Sequence, residues 1–344
     1  MKIGIINITG YAGMEIARIL HHHPEAEIVS VTGRSSAGEL LGDVLPHLAG
    51  LEITIEPELS GSLDLVFSAL PQVASAEACV PLVKSGIKII DISADFRLKD
   101  PSVYKKWYNS DHPSPELLKE SVYGLTELDK EAIAAAKIIA NPGCYPTGAI
   151  LALAPVIKEG LVSENIIVDA KSGVSGAGRG FSLGTHFSEV NENVFAYATD
   201  GHRHLPEITQ ELARLNNQYE PKVIFTPHLI PMTRGILDTV YVDFVSHEHG
   251  STKQTNETIA SLYRDFYQNS PFVKVVSIPP QTKQTWGNNN CLIYPKVDER
   301  TGQLVVFAAL DNLVKGAAGQ AVQNMNLMFG MPEDLGLQGI AIYP

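Results

Sequence analysis

The chain has 344 residues, 44% of them hydrophobic, which is enough for two domains that each bury a core. Its 26 basic and 38 acidic residues give a net charge of −12 without any Lys/Arg-rich run, which argues against nucleic acids and anionic membranes as partners. Three widely spaced cysteines fit neither a disulfide framework nor a zinc site, so we expect no bound metal and a reducing, cytoplasmic location. We also expect no signal peptide and no membrane span, because the first residues read as a strand and no apolar run is long enough.

A strand, a glycine-containing turn and a helix come first. The apolar run 2–8 predicts the strand, and helical spacing follows over 11–22. Backbone N–H groups at such a helix N-terminus can hold a pyrophosphate, although an ordinary tight turn has the same pattern. Asn7 occupies the place of the usual first glycine, and asparagine tolerates the positive φ that this turn needs. The predicted cofactor-binding residues of the turn are Thr9, Gly10, Tyr11, Ala12 and Gly13.

The end of the second predicted strand, 27–32, indicates which dinucleotide binds. In NAD-binding units an acidic residue near this point holds the ribose 2′-OH. Here the strand is followed by Arg34 and Ser35, which suit a 2′-phosphate. We therefore predict NADP; the alternative is an ordinary surface arginine.

Further alternation of strands and helices predicts a doubly wound parallel sheet. Runs 64–70 and 87–92 read as strands, with a helix over 73–85 between them, and ligands bind outside the carboxyl ends of such strands. Arg97 follows the second run and could clamp a phosphate or carboxylate, or else pair with Asp91 or Asp95.

Three consecutive histidines, 21–23, suggest a metal site at first sight. Neighbouring helical residues point about 100° apart, so their rings cannot converge on one ion. We expect surface residues at a helix end. Of the other cysteines, Cys79 lies in a helical pattern and reads as core, and Cys291 opens a strand.

The segment 141–147 contains the strongest candidate for chemistry, Cys144. An apolar run ends at Ala140 and a buried-helix pattern begins near Thr147, so the cysteine lies on a turn at or just before a helix start. The helix N-terminus there favours a thiolate and offers N–H groups to an oxyanion. The alternative is a small buried hydrophobe, because unpaired cysteines are commonly buried.

Two further segments supply candidate groups downstream. A strand over 165–171 leads into the glycine-rich stretch 172–180, which can contact a ligand through its backbone or serve as a linker. His202 and His204 precede a helix over 206–215, and either is a candidate general acid or base for thiol chemistry, or a structural histidine.

The remaining chain predicts strands over 223–227, 235–246 and 302–310 and a helix over 252–268. A final helix, to about residue 328, carries small residues suited to packing against the first domain and makes the nucleotide-binding unit discontinuous. Asn312 at its start could be the N-cap or could contact a nicotinamide amide.

Together these motifs resemble the N-acetyl-gamma-glutamyl-phosphate reductase family of arginine biosynthesis. The matching segments, in the family's order, are 9–13, 34–38, 91–97, 141–147, 172–179, 202–208 and 311–320. The resemblance implies an α/β chain of the semialdehyde dehydrogenase superfamily, with a Rossmann-type doubly wound parallel sheet and a central α+β catalytic domain with a mixed sheet. It implies an NADP-binding domain over 1–143 and 313–344, and a catalytic and oligomerisation domain over 144–312 that forms homodimers or tetramers.

The resemblance also implies a mechanism and a set of site residues. Cys144 would attack an acyl phosphate, and NADPH would reduce the thioester to a semialdehyde, with His204 as the acid/base and His202 as the fallback. The other implied cofactor-binding residues are Arg34, Ser35, Ser68, Pro71, Ser175, Gly176 and Asn312. The implied substrate-binding residues are Arg97, Asn141, Ser172, Arg179 and His202.

Three rival functions share parts of this pattern. The same chemistry on a carrier-linked aminoadipate phosphate of lysine biosynthesis is disfavoured because Tyr-Pro-Thr follows Cys144 and no basic patch suits an acidic carrier. Aspartate-semialdehyde dehydrogenase fits the architecture but not segment 202–208. A non-catalytic NADP-binding regulator would not need the apparently complete set of chemical groups.

Overall fold

The computed structural model describes residues 1–245 and 254–344. They form two compact units: unit 1 contains Met1–Gly143 and Ala317–Gly339, and unit 2 contains Cys144–Gly316 and Ile340–Pro344. The C-terminal end of the predicted strand 235–246 and the start of the predicted helix 252–268 lie outside the described residues.

Unit 1 contains a seven-stranded sheet in the order β3-β2-β1-β4-β5-β7-β6, and every strand pair in it is parallel. Its strands are β1 (Lys2–Ile6), β2 (Glu27–Thr32), β3 (Ile55–Glu56), β4 (Leu65–Ser68), β5 (Lys88–Asp91), β6 (Val122–Tyr123) and β7 (Ile138–Ala140). All four residues of β4 are buried, as expected for a parallel strand covered on both faces. The predicted doubly wound sheet is therefore confirmed.

Unit 2 contains a mixed seven-stranded sheet in the order β12-β13-β14-β11-β8-β10-β9. Its strands are β8 (Val162–Gly173), β9 (Phe195–Ala196), β10 (Lys222–Ile230), β11 (Ile236–Phe244), β12 (Val273–Val275), β13 (Cys291–Val297) and β14 (Gln303–Leu310). β8 runs parallel to β10 and β12 parallel to β13, whereas the other pairs are antiparallel. The predicted mixed sheet of an α+β domain is confirmed.

Eleven α-helices are present in the described part of the chain. They are α1 (Tyr11–Leu20), α2 (Leu41–Val44), α3 (Ala74–Lys84), α4 (Pro101–Tyr108), α5 (Pro115–Glu120), α6 (Lys130–Ala135), α7 (Cys144–Lys158), α8 (Phe187–Val190), α9 (Leu205–Leu215), α10 (Asn256–Phe266) and α11 (Gly319–Met328). None of the helices in the described residues is long and apolar enough to cross a membrane.

Helix α7 forms the centre of unit 2. Every residue from 145 to 157 is buried, which explains why its sequence is apolar on all sides. Pro155 has no N–H to donate to the carbonyl of Leu151, and the hydroxyl of Tyr267 donates to that oxygen instead, at 2.6 Å. The hydroxyl of Tyr263 likewise donates to the carbonyl of Ala152. The two tyrosines therefore satisfy the helix backbone around its internal proline.

The histidines at the end of α1 are not all at the surface. His21 and His22 are exposed, but His23 is 5% exposed, and its Nε2 lies 2.9 Å from Oδ1 of Asn326 on α11. The prediction of a surface residue is wrong for His23, because the C-terminal helix of unit 1 covers it, and burial lowers its pKa. No group of three or more metal-binding side chains occurs among the described residues.

Candidate active site

Cys144 is the first residue of α7. This confirms the prediction that the cysteine lies at or just before a helix start, although the apolar pattern itself begins near Thr147. Pro146 fits in the first helical turn, where its missing N–H is not needed. The side chain is partly accessible, whereas Cys79 and Cys291 are fully buried. At this position the helix dipole and the first-turn N–H groups favour the thiolate over the thiol.

Tyr145, the residue after Cys144, packs against two histidines within unit 2. The buried ring of Tyr145 lies 5.9 Å from the ring of His202 and 5.9 Å from that of His204, measured between centroids. The two histidine rings are 4.7 Å apart. Tyr197 and Phe225 complete the cluster, each 5.4 Å from His202. Residues that are about sixty positions from Cys144 in sequence therefore pack against its neighbour.

The protonation state of His202 follows from its surroundings. Burial, followed by the nearby charge of Arg203, lowers the pKa of His202 to about 4. Its Nδ1 accepts the backbone N–H of His204 at 3.0 Å. A ring nitrogen that accepts carries no proton, so the neutral ring has its hydrogen on Nε2. At neutral pH the His202 ring is therefore uncharged, and its Nε2 is a hydrogen-bond donor.

His204 lies at the start of α9. Its backbone carbonyl accepts the N–H of Ile208 at 2.9 Å, so the ring projects from the N-terminal end of that helix. Pro206 occupies the first turn, as predicted.

Two phenols near Cys144 were not among the residues predicted from the sequence. The hydroxyl of Tyr145 donates to the carbonyl of His228 at 3.1 Å, and the hydroxyl of Tyr197 donates to that of Tyr145 at 3.4 Å. Burial raises the pKa of Tyr145 and raises that of Tyr197 to about 12, so both are neutral at physiological pH. The only signal in the sequence was the position of Tyr145 directly after Cys144, and nothing indicated Tyr197.

An acidic residue lies behind the first turns of α7. Asp238 on β11 is fully buried, and among the described residues neither of its carboxyl oxygens has a hydrogen-bond partner. Its Oδ2 lies against Gly148, one turn after the cysteine, where a Cβ would collide with it. Burial raises the pKa of the Asp238 carboxyl above its ordinary value, because the low-dielectric interior penalises the charged form.

The glycine-rich stretch after β8 meets the end of β14. Nδ2 of Asn312 donates to Oγ of Ser175 at 2.9 Å, and Oδ1 accepts the N–H of Gly235 at 2.8 Å. Ser172 is buried, and its Oγ lies 3.0 Å from where a Cβ on Gly176 would be. These four predicted site residues, Ser172, Ser175, Gly176 and Asn312, are therefore brought together. Arg179 lies further along the loop and is exposed.

The interpretation of Asn312 as a helix N-cap is wrong. The preceding residue, Asp311, accepts the backbone N–H groups of Leu313 at 2.8 Å and Val314 at 3.2 Å. A π-helical turn, Val314–Ala318, follows and leads into α11.

In unit 1 the turn between β1 and α1 has the shape that a dinucleotide requires. Asn7 adopts φ of 65°, as expected for a residue in place of glycine, and its Nδ2 donates to the carbonyl of Ala69 at 2.8 Å. A Cβ on Gly13 would collide with the carbonyl oxygen of Asn7 and lie 2.9 Å from Cα of Ile8. Gly10 at the N-cap supplies no side-chain acceptor to the first-turn N–H groups. The residues of this turn therefore fit a pyrophosphate.

The other predicted cofactor residues of unit 1 differ in their accessibility. Arg34 and Ser35 are exposed in a short 3₁₀ turn directly after β2. Pro71 is exposed beyond the end of β4, but Ser68 is buried and its Oγ lies 2.7 Å from Oγ of Ser75.

Arg97 and Asn141 lie together at the carboxyl ends of β5 and β7. Arg97 is 6% exposed; its Nε donates to the carbonyl of Asn141 and its Nη2 to the carbonyl of Ile92, each at 2.8 Å. The Asn141 side chain donates to the carbonyl of Ala317 at 3.0 Å and accepts from Asn324 at 3.1 Å. The amide of Asn141 therefore supports the packing of α11 within unit 1.

Two known domain families match the chain. The family described as "Semialdehyde dehydrogenase, NAD binding domain" matches residues 2–136, and "Semialdehyde dehydrogenase, dimerisation domain" matches residues 144–312. The N-acetyl-gamma-glutamyl-phosphate reductase of Dehalococcoides mccartyi is 52% identical over 343 residues, covering 100% of this chain and 99% of the relative. The reductase of the same name from Pelotomaculum thermopropionicum is 50% identical over 352 residues, with the same coverage.

Solved structures show the same fold. Aspartate semialdehyde dehydrogenase II of Vibrio cholerae, complexed with ASA, has a TM-score of 0.72 at 18% identity, covering 96% of this chain and 98% of its own. Aspartate semialdehyde dehydrogenase of Candida albicans, with NADP, has a TM-score of 0.71 at 16% identity, covering 95% and 98%. The chain is an oxidoreductase of the semialdehyde dehydrogenase family and belongs to its N-acetyl-gamma-glutamyl-phosphate reductases.

Proposed function

We propose that this chain catalyses the NADPH-dependent reduction of N-acetyl-gamma-glutamyl phosphate to N-acetylglutamate 5-semialdehyde and phosphate in cytoplasmic arginine biosynthesis. The observation that carries the proposal is Cys144 at the first residue of α7, with His202 and His204 packed against the next side chain. Relatives that span the whole chain at about half identity have the corresponding name.

The first half of the reaction needs a nucleophile that can hold an acyl group. The thiolate sulfur of Cys144 attacks the acyl carbon, the bond from that carbon to the phosphate oxygen breaks, and inorganic phosphate leaves. The thioester that remains is more electrophilic than a carboxylate. The N–H groups of the first turn of α7 and the Nε2–H of His202 are the donors available for the developing oxyanion.

The cofactor residues belong to the turn after β1 and to the end of β2. The backbone of residues 9–13 would hold the pyrophosphate, and Arg34 and Ser35 the 2′-phosphate. We infer NADP rather than NAD, because the end of β2 has an exposed arginine and no acidic residue. When bound, the reduced cofactor supplies the hydride.

The second half of the reaction needs a proton on the substrate oxygen. We assign this transfer to His204, because the low pKa of His202 and its occupied Nδ1 leave that ring unable to shuttle protons at neutral pH. Collapse of the thiohemiacetal then returns this proton to His204, re-forms the carbonyl and breaks the carbon–sulfur bond, and the Cys144 thiolate and the semialdehyde separate.

The test is to trap the acyl group. The chain is mixed with the acyl phosphate without nucleotide, and the adduct is located by peptide mass spectrometry. We expect it on Cys144, and we expect Cys144→Ala to retain NADP binding while losing phosphate-dependent oxidation of the semialdehyde. Cys291→Ala is the matched control, since that thiol is fully buried on β13. Turnover retained by Cys144→Ala would disprove the nucleophile, and binding without turnover in the parent would favour a regulator.

We also propose that the chain forms a homo-oligomer through the uncovered face of the unit 2 sheet. Ile224, Ile167, Tyr241 and Val305 are paired across β10, β8, β11 and β14 in one row. Ile224 is 61% exposed and Ile167 is 44% exposed, which is unusual for large apolar side chains in the middle of a sheet. The matching family is described as a dimerisation domain. Ile224→Glu should therefore yield monomers in sedimentation analysis, whereas Arg264→Glu, at an exposed position on α10, should not.

A further inference from the structure

Asp311 follows the last strand of unit 2 and is fully buried. Its Oδ1 accepts the backbone N–H groups of Leu313 and Val314. Its Oδ2 accepts the N–H of Gly287 at 2.8 Å and lies 3.5 Å from Nη1 of Arg234. Both oxygens of one carboxylate are therefore satisfied by donors from three separate segments, which is the arrangement that makes burying a charge tolerable.

The turn that Asp311 holds touches the nucleophile. The N–H of Gly316 donates to the backbone carbonyl of Asp311 at 2.9 Å. A Cβ built on Gly316 would lie 2.8 Å from Cβ and 3.1 Å from Cα of Cys144, and 3.2 Å from Cδ1 of Leu310. Side chains do not approach so closely, so only glycine fits here. The π-helical turn Val314–Ala318 places this glycine, and such turns are frequent at functional sites.

We propose that Asp311 is a positioning residue for the nucleophile. Its carboxylate fixes the turn that places Gly316 against Cys144, and this contact holds the thiol at the N-terminal end of α7. The proposal rests on the role of Cys144 given above and adds to it a residue that does not touch the substrate. It also explains why a charge is kept in the interior: four donors face two oxygens, and no neutral side chain of that size can accept from all of them.

The decisive variant is Asp311→Asn, which keeps the volume but replaces one acceptor oxygen with a donor NH₂ group. In either orientation the amide places donors against donors, on the Leu313 side or on the Gly287 side. A shift of the thiol by ~1 Å costs up to ~10²-fold in rate, so we expect kcat to fall by about 10- to 100-fold while KM for the acyl phosphate changes by less than about threefold.

The second readout needs neither substrate nor cofactor. The rate at which iodoacetamide alkylates Cys144 in the folded protein is followed by peptide mass spectrometry, with buried Cys79 and Cys291 as internal references. We expect this rate to fall about tenfold in Asp311→Asn and its pH midpoint to rise, because a displaced thiol loses the helix N-terminus. Asp298→Asn is the matched control: it removes a carboxylate that also accepts a turn N–H, that of Arg300, before β14 begins.

Gly316→Ala is the independent variant, because it moves the thiol without touching the carboxylate. We expect the same loss of alkylation rate, and the double variant should be no slower than the slower single variant, since both act through one contact. Parent-like alkylation and kcat in folded Asp311→Asn, with only a lower unfolding midpoint, would overturn the proposal. So would parent-like alkylation in Gly316→Ala if Asp311→Asn does not fold. If instead no acyl adduct forms on Cys144 in the parent, the proposed function fails, while the alkylation rates still report on positioning.

Discussion

Burial of His202 should make the stability of unit 2 depend on pH below neutrality. Burial lowers the pKa of this ring from 6.5 to about 4. Unfolding returns the ring to water, so the unfolded chain binds a proton that the folded chain excludes. Protonation of this ring therefore leaves the free energy of unfolding unchanged above pH 6.5 and lowers it as the pH drops from 6.5 towards about 4. At ~1.4 kcal/mol per pKa unit, the loss is roughly 2 kcal/mol at about pH 5 and roughly 3 kcal/mol below about pH 4.

The assay is unfolding in urea followed by the fluorescence of Trp286. The chain has two tryptophans, and the other, Trp107, lies on α4 in unit 1, so a Trp107→Phe background leaves a reporter for unit 2 alone. Relative to His202→Gln, the parent should lose roughly 2 kcal/mol of unfolding free energy between about pH 7.5 and about pH 5. The control His186→Gln replaces an exposed histidine of unit 2, and its difference from the parent should not change with pH. An NMR signal that titrates near 6.5 and is missing from His202→Gln would refute the reasoning.

Three further substitutions test the packing around the candidate site. Gly13→Ala places a methyl group against the backbone of the turn after β1. The NADP affinity measured by calorimetry should fall at least about tenfold, and the free energy of unfolding should fall by ~1–3 kcal/mol. Gly184→Ala is the control, because a Cβ there meets open space. Burial raises the pKa of the Asp238 carboxyl, so the parent should lose free energy of unfolding relative to Asp238→Asn as the pH rises above 3.8. Unfolding free energies that run parallel over that range would show that the carboxyl is not sealed from water. Tyr267→Phe should lower the free energy of unfolding in urea by ~1–3 kcal/mol, because the carbonyl of Leu151 loses its donor. This loss should be smaller in a Pro155→Ala background, where residue 155 regains an N–H that can donate to the same carbonyl.

Much of the fold was predictable because the deciding interactions are local. The strands of unit 1 are short apolar runs and the helices between them have 3.6-residue spacing, so element types followed directly from side-chain pattern. The positive φ at Asn7 was also predictable, since asparagine is the residue best suited to replace glycine there. The cysteine was also placed correctly at or just before a helix start, since Cys144 is the first residue of α7 and the first turn accepts Pro146.

The parts of the site that could not be predicted depend on contacts between distant segments. The burial of His23 depends on α11, three hundred residues away, and the tautomer of His202 depends on a backbone N–H that only the folded turn supplies. Asp311, rather than the predicted Asn312, accepts the first N–H groups of the following turn, because nothing in the local pattern tells which of two neighbouring polar side chains makes that contact.

Sequence by itself determined that the chain is an α/β enzyme with a dinucleotide turn near its start and a thiol at a helix N-terminus, because glycine placement and apolar periodicity act over a few residues. Tertiary structure alone decided which histidine is kept neutral, which carboxylate holds the turn against Cys144, and which carbonyl each tyrosine of α10 satisfies. The reason is physical: burial and hydrogen-bond partners belong to a position in space, and segments far apart in the chain create that position only on folding.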